Sequence, residues 1–168
     1  LSEKYTTMSS LLFDKTNEYL YLQVNGLTII DFYSKEVNEL SASLKKLNNT
    51  LTRTLQTMVG LGLGYLSLNR KTQTLSGGEV NRVKLCDHLS RMKVTSKILI
   101  IDEPVSGLDA ETASIVAKFI HSKVHLFAAI IIIEHRLEVI ELADYMITVG
   151  PGAGKLGGEI QSQRRISS

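Results

Sequence analysis

Leu75-Ser76-Gly77-Gly78-Glu79 opens, and Ile98-Leu99-Ile100-Ile101-Asp102-Glu103-Pro104 with Ser106-Gly107-Leu108-Asp109 closes, the stretch 75–109 whose reading decides the fold. After the Ser-Gly-Gly, apolar residues recur at Val80, Val83, Leu85, Cys86, Leu89 and Met92 in three- and four-residue steps, which predicts one buried helix face. Ser76, Gly77 and Gly78 then lie at a helix N-terminus. Unpaired N–H groups and the positive end of the helix dipole favour an anion there, and glycines without Cβ atoms let a phosphate approach the backbone. An N-cap serine before two turn glycines has the same pattern without any ligand.

Residues 98–101 form an unbroken apolar run, the pattern of a strand buried on both faces of a parallel sheet, and the run ends in two adjacent carboxylates. The C-terminal edge of such strands is where open α/β sheets bind ligands. Successive strand residues point to opposite sides, so Asp102 and Glu103 have different tasks. One can hold Mg²⁺, directly or through water, and the other can orient and activate a water. A second apolar run, 130–133, ends in Glu134 and His135. If the two strands are neighbours, His135 shares the edge with Glu103, where a neutral imidazole could donate to a phosphate oxygen or position water.

These residues resemble a family. Leu75-Ser76-Gly77-Gly78-Glu79 is similar to the signature of ABC ATPases, 98–103 to their Walker B strand with its catalytic glutamate, 106–109 to their D-loop, and His135 to their switch histidine. The flanks narrow the resemblance to UvrA, the damage-sensing ATPase of bacterial nucleotide excision repair. They are residues 62–70 before the signature, and Ala143-Asp144-Tyr145, Gly150-Pro151-Gly152-Ala153-Gly154 and Gly157-Gly158-Glu159-Ile160 after the histidine. The resemblance runs from about residue 24 to about 160 and looks more like the first than the second nucleotide-binding domain of UvrA. Departures are Asp109, where UvrA proteins usually carry histidine, Val80-Asn81-Arg82 in place of Ala-Gln-Arg, and Pro104-Val105-Ser106. They suggest a divergent member, of the kind linked with self-resistance to DNA-binding drugs.

The resemblance implies an α/β P-loop NTPase fold of ABC type that is partial, with the signature helix and the Walker B to switch-histidine strands present and the Walker A lobe missing. It implies Glu103 and His135 as catalytic residues, Asp102 on Mg²⁺, and ATP contacts from Leu75, Ser76, Gly77, Gly78, Glu79 and Asp109. The substrate is ATP with Mg²⁺. The implied partners are a Walker A lobe of the same or another chain, a second copy in a homodimer of the full protein, DNA, and a UvrB-like protein. Without a phosphate loop, the chain alone should not turn ATP over. The alternatives are an ABC ATPase of a transporter or SMC-type protein, or a non-catalytic ABC-derived module. Upstream heptads would mark SMC, and 37–47 shows helical periodicity without a sustained a/d repeat.

At 168 residues, 43% hydrophobic and 21% charged, the chain has ordinary globular composition for one domain. A net charge of +2 argues neither for nor against nucleic acid, and no basic stripe with interleaved aromatics stands out. The single Cys86 permits no intramolecular disulfide and suits a reducing compartment. Nor can one cysteine build the zinc modules that UvrA proteins carry, so zinc is expected only outside this segment. The longest apolar run, about 126–133, is too short to span a bilayer, and the expected location is the cytoplasm without membrane contact.

In chain order, 1–23 is an uncertain lead-in with short apolar pieces at 11–13 and 19–22, 24–161 is the ATPase portion, and 162–168 is a tail with a solvated Arg164-Arg165. Residues 24–32 predict a strand and turn around Asn25-Gly26. Two helices carry Val37, Leu40, Leu44 and Leu47, then Leu51, Leu55, Met58 and Val59. Gly60, Gly62 and Gly64 lack the lysine and preceding buried strand of a phosphate loop and predict a flexible lead-in to the signature helix. A helix over 110–123 with Ile115, Val116, Phe119 and Ile120 inward makes a right-handed crossover to the 126–133 strand. A short helix over 137–143 and a third parallel strand over 145–149 follow. Gly150-Pro151-Gly152-Ala153-Gly154-Lys155-Leu156 is one residue short of a P-loop and lacks its hydroxyl, which predicts a turn before a hairpin at 157–160.

Overall fold

The computed structural model describes residues 23–44, 50–152 and 157–166. The apolar pieces at 11–13 and 19–22, Leu47, and residues 153–156 lie outside the described residues. The first described element is a tight turn. Val24 and Leu27 exchange two backbone hydrogen bonds, and both central residues take positive φ, Asn25 at 52° and Gly26 at 78°. Asparagine and glycine are the residues that tolerate this geometry. The strand expected to follow is instead helix α1 (Ile29–Ser34). Thr28 and Asp31 form a reciprocal capping box, and that local pairing starts a helix where the apolar pattern suggested a strand.

Helices α2 (Val37–Ser43) and α3 (Thr50–Gly60) form where the helical spacing predicts two helices, and they pack together. Leu27, Val37, Leu40, Leu44 and Leu55 form their shared core. The glycine segment after α3 is packed rather than flexible, because Leu61 and Leu63 between the glycines and Leu66 just after them are all buried in the main core. A Cβ on Gly60 would collide with the Phe119 ring, and Asn38 fills the space beside Gly64 while its N–H donates to the Gly64 carbonyl.

The main core gathers helix α4 (Gly77–Arg91), strand β1 (Ile98–Asp102), helix α5 (Ala110–His121) and strand β2 (Ala129–Ile133). The α4 stripe differs from expectation. Glu79, Arg82, Cys86, Leu89 and Ser90 are buried, Val80 and Leu85 only partly so, and Val83 is exposed. Residues 79, 82, 86 and 89 keep the helical period, but two charged side chains occupy the inward face because they have tertiary partners. On α5 the inward set is Ala113, Val116, Ala117 and Ile120, and Phe119 is half-buried. Ile115 is 52% exposed, contrary to its expected place. Cys86 is a free thiol whose burial pushes it up to about 11.

β1 and β2 pair in parallel, Ile98 opposite Ala129 through Asp102 opposite Ile133. Leu99, Ile101, Ile130 and Ile132 face the core. The opposite face does not fulfil the expectation of burial on both sides. Ile98 (58%), Ile100 (65%), Ile131 (48%) and Ile133 (56%) are exposed there. Helix α6 (Leu137–Ile140) is shorter than expected and packs on α5. Strand β3 (Tyr145–Gly150) is not a third parallel strand, since it pairs antiparallel with β4 (Glu159–Arg165) in a separate two-stranded sheet. The hairpin thus exists but runs past residue 161, and Arg164 and Arg165 belong to it. Among the described residues, no helix is long and apolar enough to cross a membrane.

The difference between the expected and observed stripes on α5 is measurable. Ile120→Ala, which empties a buried position, should cost about 2–5 kcal/mol in denaturant unfolding. Ile115→Ala on the exposed face should change stability by no more than about 0.5 kcal/mol.

Candidate functional site

The parallel register makes β1 and β2 end at one edge, and one further backbone bond extends the pairing. The Glu103 N–H donates to the Ile133 carbonyl at 3.0 Å, which sets Glu103 beside the segment leading into Glu134 and His135. Glu103 itself has φ 43°, a left-handed conformation that costs a residue with a Cβ about 1–3 kcal/mol. The buried Pro104 and Val105 that follow, and the Ser106 N–H on the Glu103 carbonyl at 3.2 Å, close a tight turn around it. Asp102 and Glu103 are exposed, and neither carboxylate has a hydrogen bond or ion pair among the described residues. The His135 ring is exposed, with Nδ1 3.4 Å from Glu134 Oε1. That same oxygen accepts from the His135 backbone N–H at 3.0 Å. The Glu134 side chain is buried, and its Oε2 finds no partner among the described residues.

The α4 terminus is built by a capping box. Ser76 Oγ accepts from the Glu79 N–H at 3.2 Å, and Glu79 Oε2 accepts from the Ser76 N–H at 2.6 Å. The other Glu79 oxygen accepts from the Tyr65 hydroxyl. The Tyr65 bond first, and the Ser76 N–H second, hold the Glu79 carboxyl at about 2. Glu79 is therefore committed to the helix start. The two glycines also differ. A Cβ on Gly77 would meet open space, whereas one on Gly78 would lie 2.8 Å from the Ser106 carbonyl. Gly77 thus faces open space, and Gly78 permits close packing of the helix on the turn after Glu103. Leu75 packs half-buried against the main core.

Asp109 is also a cap. Its oxygens accept from the Thr112 N–H at 2.9 Å and the Thr112 hydroxyl at 2.7 Å, the former lowering its carboxyl most. The sequence signals missed the arginines and Tyr65. Arg82 donates to the Ser106 carbonyl at 3.0 Å, and Arg136 donates to that of Leu108 at 2.6 Å. Burial pushes the Arg82 guanidinium below its ordinary range against the pull of Tyr65 and Glu79. The one available hint was the three-residue step from Glu79 to Arg82, which puts both on one face. Tyr65 lies 14 residues from Glu79, beyond any local periodicity.

Among the described residues, no group of three or more His, Cys, Asp or Glu could hold a metal ion. The free Asp102 carboxylate fits a divalent cation that draws its remaining ligands from phosphate and water, which is how Mg²⁺ is commonly held. A shallow hollow of about 330 Å³ lined by Asn38, Ser41, Ala42, Gln56 and Val59 lies on α2 and α3, and no residue of the candidate site contributes to it.

No protein-family model matches the chain. It is 36% identical over 141 residues to the UvrABC system protein A of Helicobacter pylori, a match covering 84% of this chain and 15% of that protein. The structure is similar to UvrA2 from Deinococcus radiodurans, with TM-score 0.73 and 30% identity over 88% of this chain and 18% of that one. A dimeric ATP-binding cassette in a post-hydrolysis state, bound to ADP and Pi, shares the fold at TM-score 0.53 and 18% identity over 81% of this chain and 59% of that one. The chain thus spans a minor part of the length of these UvrA relatives.

Two outcomes test the helix terminus. Glu79 sits at about 2 against an ordinary 4.5, so its ionised form favours the fold above about pH 4.5, and this contribution is lost as pH falls toward 2. Tyr65→Phe should move acid unfolding to higher pH and cost about 1 kcal/mol at neutral pH in urea titrations. Gly78→Ala should destabilise by about 1–3 kcal/mol through overpacking, while Gly77→Ala should leave the melting temperature unchanged or raise it.

Proposed function

We propose, for a chain that belongs to the UvrA-like ABC ATPases, that it supplies the signature and Walker B parts of composite ATP sites in a protein that recognises DNA damage for nucleotide excision repair. One observation carries this reading. The parallel β1–β2 edge sets the two free carboxylates Asp102 and Glu103 beside the His135 segment, while the open helix terminus at Gly77 packs on the turn that follows.

Glu103 is the group that orients and deprotonates the attacking water for in-line displacement at the γ-phosphate. His135 donates to a γ-phosphate oxygen or holds that water. Asp102 would hold Mg²⁺, whose charge neutralises the phosphate oxygens when bound. Gly77 presents its backbone N–H, and Ser76 its hydroxyl hydrogen, to the phosphates of a nucleotide held by another lobe, since the Ser76 N–H is already bound to Glu79. Leu75, Gly78, Glu79 and Asp109 shape these contacts by packing and capping, as described above. The Walker A lobe that cradles the remaining phosphates comes from the same or another chain, and the full protein acts as a homodimer on DNA with a UvrB-like partner in the cytoplasm.

The bare face of the β1–β2 sheet supports the need for a covering lobe. Four isoleucines there, each only about half exposed, would each contribute on the order of 1 kcal/mol on full burial. A lobe covering that face would also stand close to the Asp102 edge, because Asp102 shares the face in register with Ile98 and Ile100.

The test is ATP turnover by the full-length protein, with and without damaged duplex DNA, beside the same protein carrying Glu103→Gln and beside the isolated chain. Glu103→Gln should lower kcat by about 10²-fold or more, damaged DNA should change the wild-type rate, and the isolated chain should be silent. Turnover by the isolated chain, or an unchanged Glu103→Gln rate, overturns the proposal.

A further inference from the structure

Arg136 directly follows His135 and forms the N-cap position of α6. Its Nη1 donates to the Leu108 carbonyl at 2.6 Å and reaches the Val105 carbonyl at 3.4 Å, while Nη2 bonds Glu138 Oε1 at 2.8 Å. From α4, Arg82 Nη1 donates to the Ser106 carbonyl at 3.0 Å. Three carbonyls of the 105–108 turn are therefore directed at guanidinium groups from two different elements. One of those elements begins at Gly77, and the other side chain is adjacent to His135.

The turn needs outside support. It starts from Glu103 in a left-handed conformation, contains Gly107 at φ 75°, and its own backbone bonds are long, 3.2 Å both for Ser106 N–H to Glu103 and for Leu108 N–H to Val105. Hydrogen bonds from a charged donor are stronger than those between neutral groups, and the planar guanidinium can hold two acceptors at once where an ammonium acts as a point charge. Glu138 holds the guanidinium from its other end, and this bond chiefly raises the Arg136 value.

Resting on the nucleotide reading above, we propose that Arg136 is a positioning residue: through the carbonyls of Val105 and Leu108 it fixes the turn that begins at Glu103. With Arg82 holding Ser106, it ties the Gly77 helix terminus to the Glu103 and His135 edge, so that both edges answer nucleotide together. Arg136 need not touch nucleotide for this role. It sets where the Glu103 carboxylate stands relative to the reacting phosphate, an effect on kcat rather than on binding.

The experiment uses the full-length protein as wild type, Arg136→Ala and Arg136→Lys, with steady-state ATP turnover and hydrogen exchange, the latter with and without Mg²⁺ and a non-hydrolysable ATP analogue. Arg136→Ala should lower kcat about tenfold while KM for ATP stays within about twofold. Arg136→Lys, which keeps the charge but not the fork, should fall between the two. The analogue should slow exchange over 76–80 and 103–109 in wild type, and only over 76–80 in Arg136→Ala. Unchanged kcat with protection of 103–109 retained, or a shift in KM and melting temperature alone, overturns the proposal. If Glu103→Gln also leaves turnover unaltered, the ATPase reading has failed. The clamp is then judged by Ser106 and Leu108 amide exchange without nucleotide, which Arg136→Ala must accelerate for the clamp to stand.

Discussion

The parallel pairing of β1 with β2, carried one residue further by the Glu103 N–H on the Ile133 carbonyl, is the constraint on which the rest depends. It brings residues 102 and 103 to the same edge as 134 and 135, more than thirty positions away in the chain. It also forces a compact exit from β1, since the chain must leave the sheet beneath α4 and α5. The left-handed backbone of Glu103 and the buried Pro104 and Val105 are the local means of that exit. Strain of this kind persists where packing overdetermines it, and here both neighbours downstream are packed away from water.

Around this edge, acidic side chains divide into two groups. Glu79 and Asp109 are bound on both oxygens, one in a capping box with a tyrosine and the other by Thr112. Asp102 and Glu103 are bound by nothing among the described residues. Saturated carboxylates build helix termini, and free ones remain available to ligand and solvent. The same division separates the two signature glycines, since Gly78 is pressed on Ser106 and Gly77 faces open space. A motif that looks uniform in the sequence thus divides, with Ser76, Glu79 and Gly78 committed to the helix start and its packing, and Gly77 facing open space.

Arg82 and the bare sheet face show the two ways a buried pattern can mislead. Helical spacing identified α4 correctly, yet its inward face carries Glu79 and Arg82 because Tyr65 and the Ser106 carbonyl satisfy them across the fold. Apolar runs identified β1 and β2 correctly, yet one face stays in water because burial on both sides requires a second layer. Both cases leave secondary structure intact and change only what each face meets.

From the sequence alone came the helix at the Ser-Gly-Gly, the two strands ending in charged residues, the crossover helix between them, and the resemblance carried by their order. These depend on local periodicity, on residues whose chemistry narrows the choices, and on spacing, all of which are written along the chain. The α1 that replaces a strand after Asn25-Gly26 follows from the local Thr28–Asp31 spacing, whereas tertiary structure alone decided that β3 turns back against β4 instead of joining the parallel sheet. It also decided that two arginines meet one turn. Strand partnership is a choice among surfaces distant in sequence, and an arginine's partner is a carbonyl that every residue possesses. Neither leaves a periodic or compositional trace, so only the folded arrangement distinguishes the chosen contact from its many equivalents.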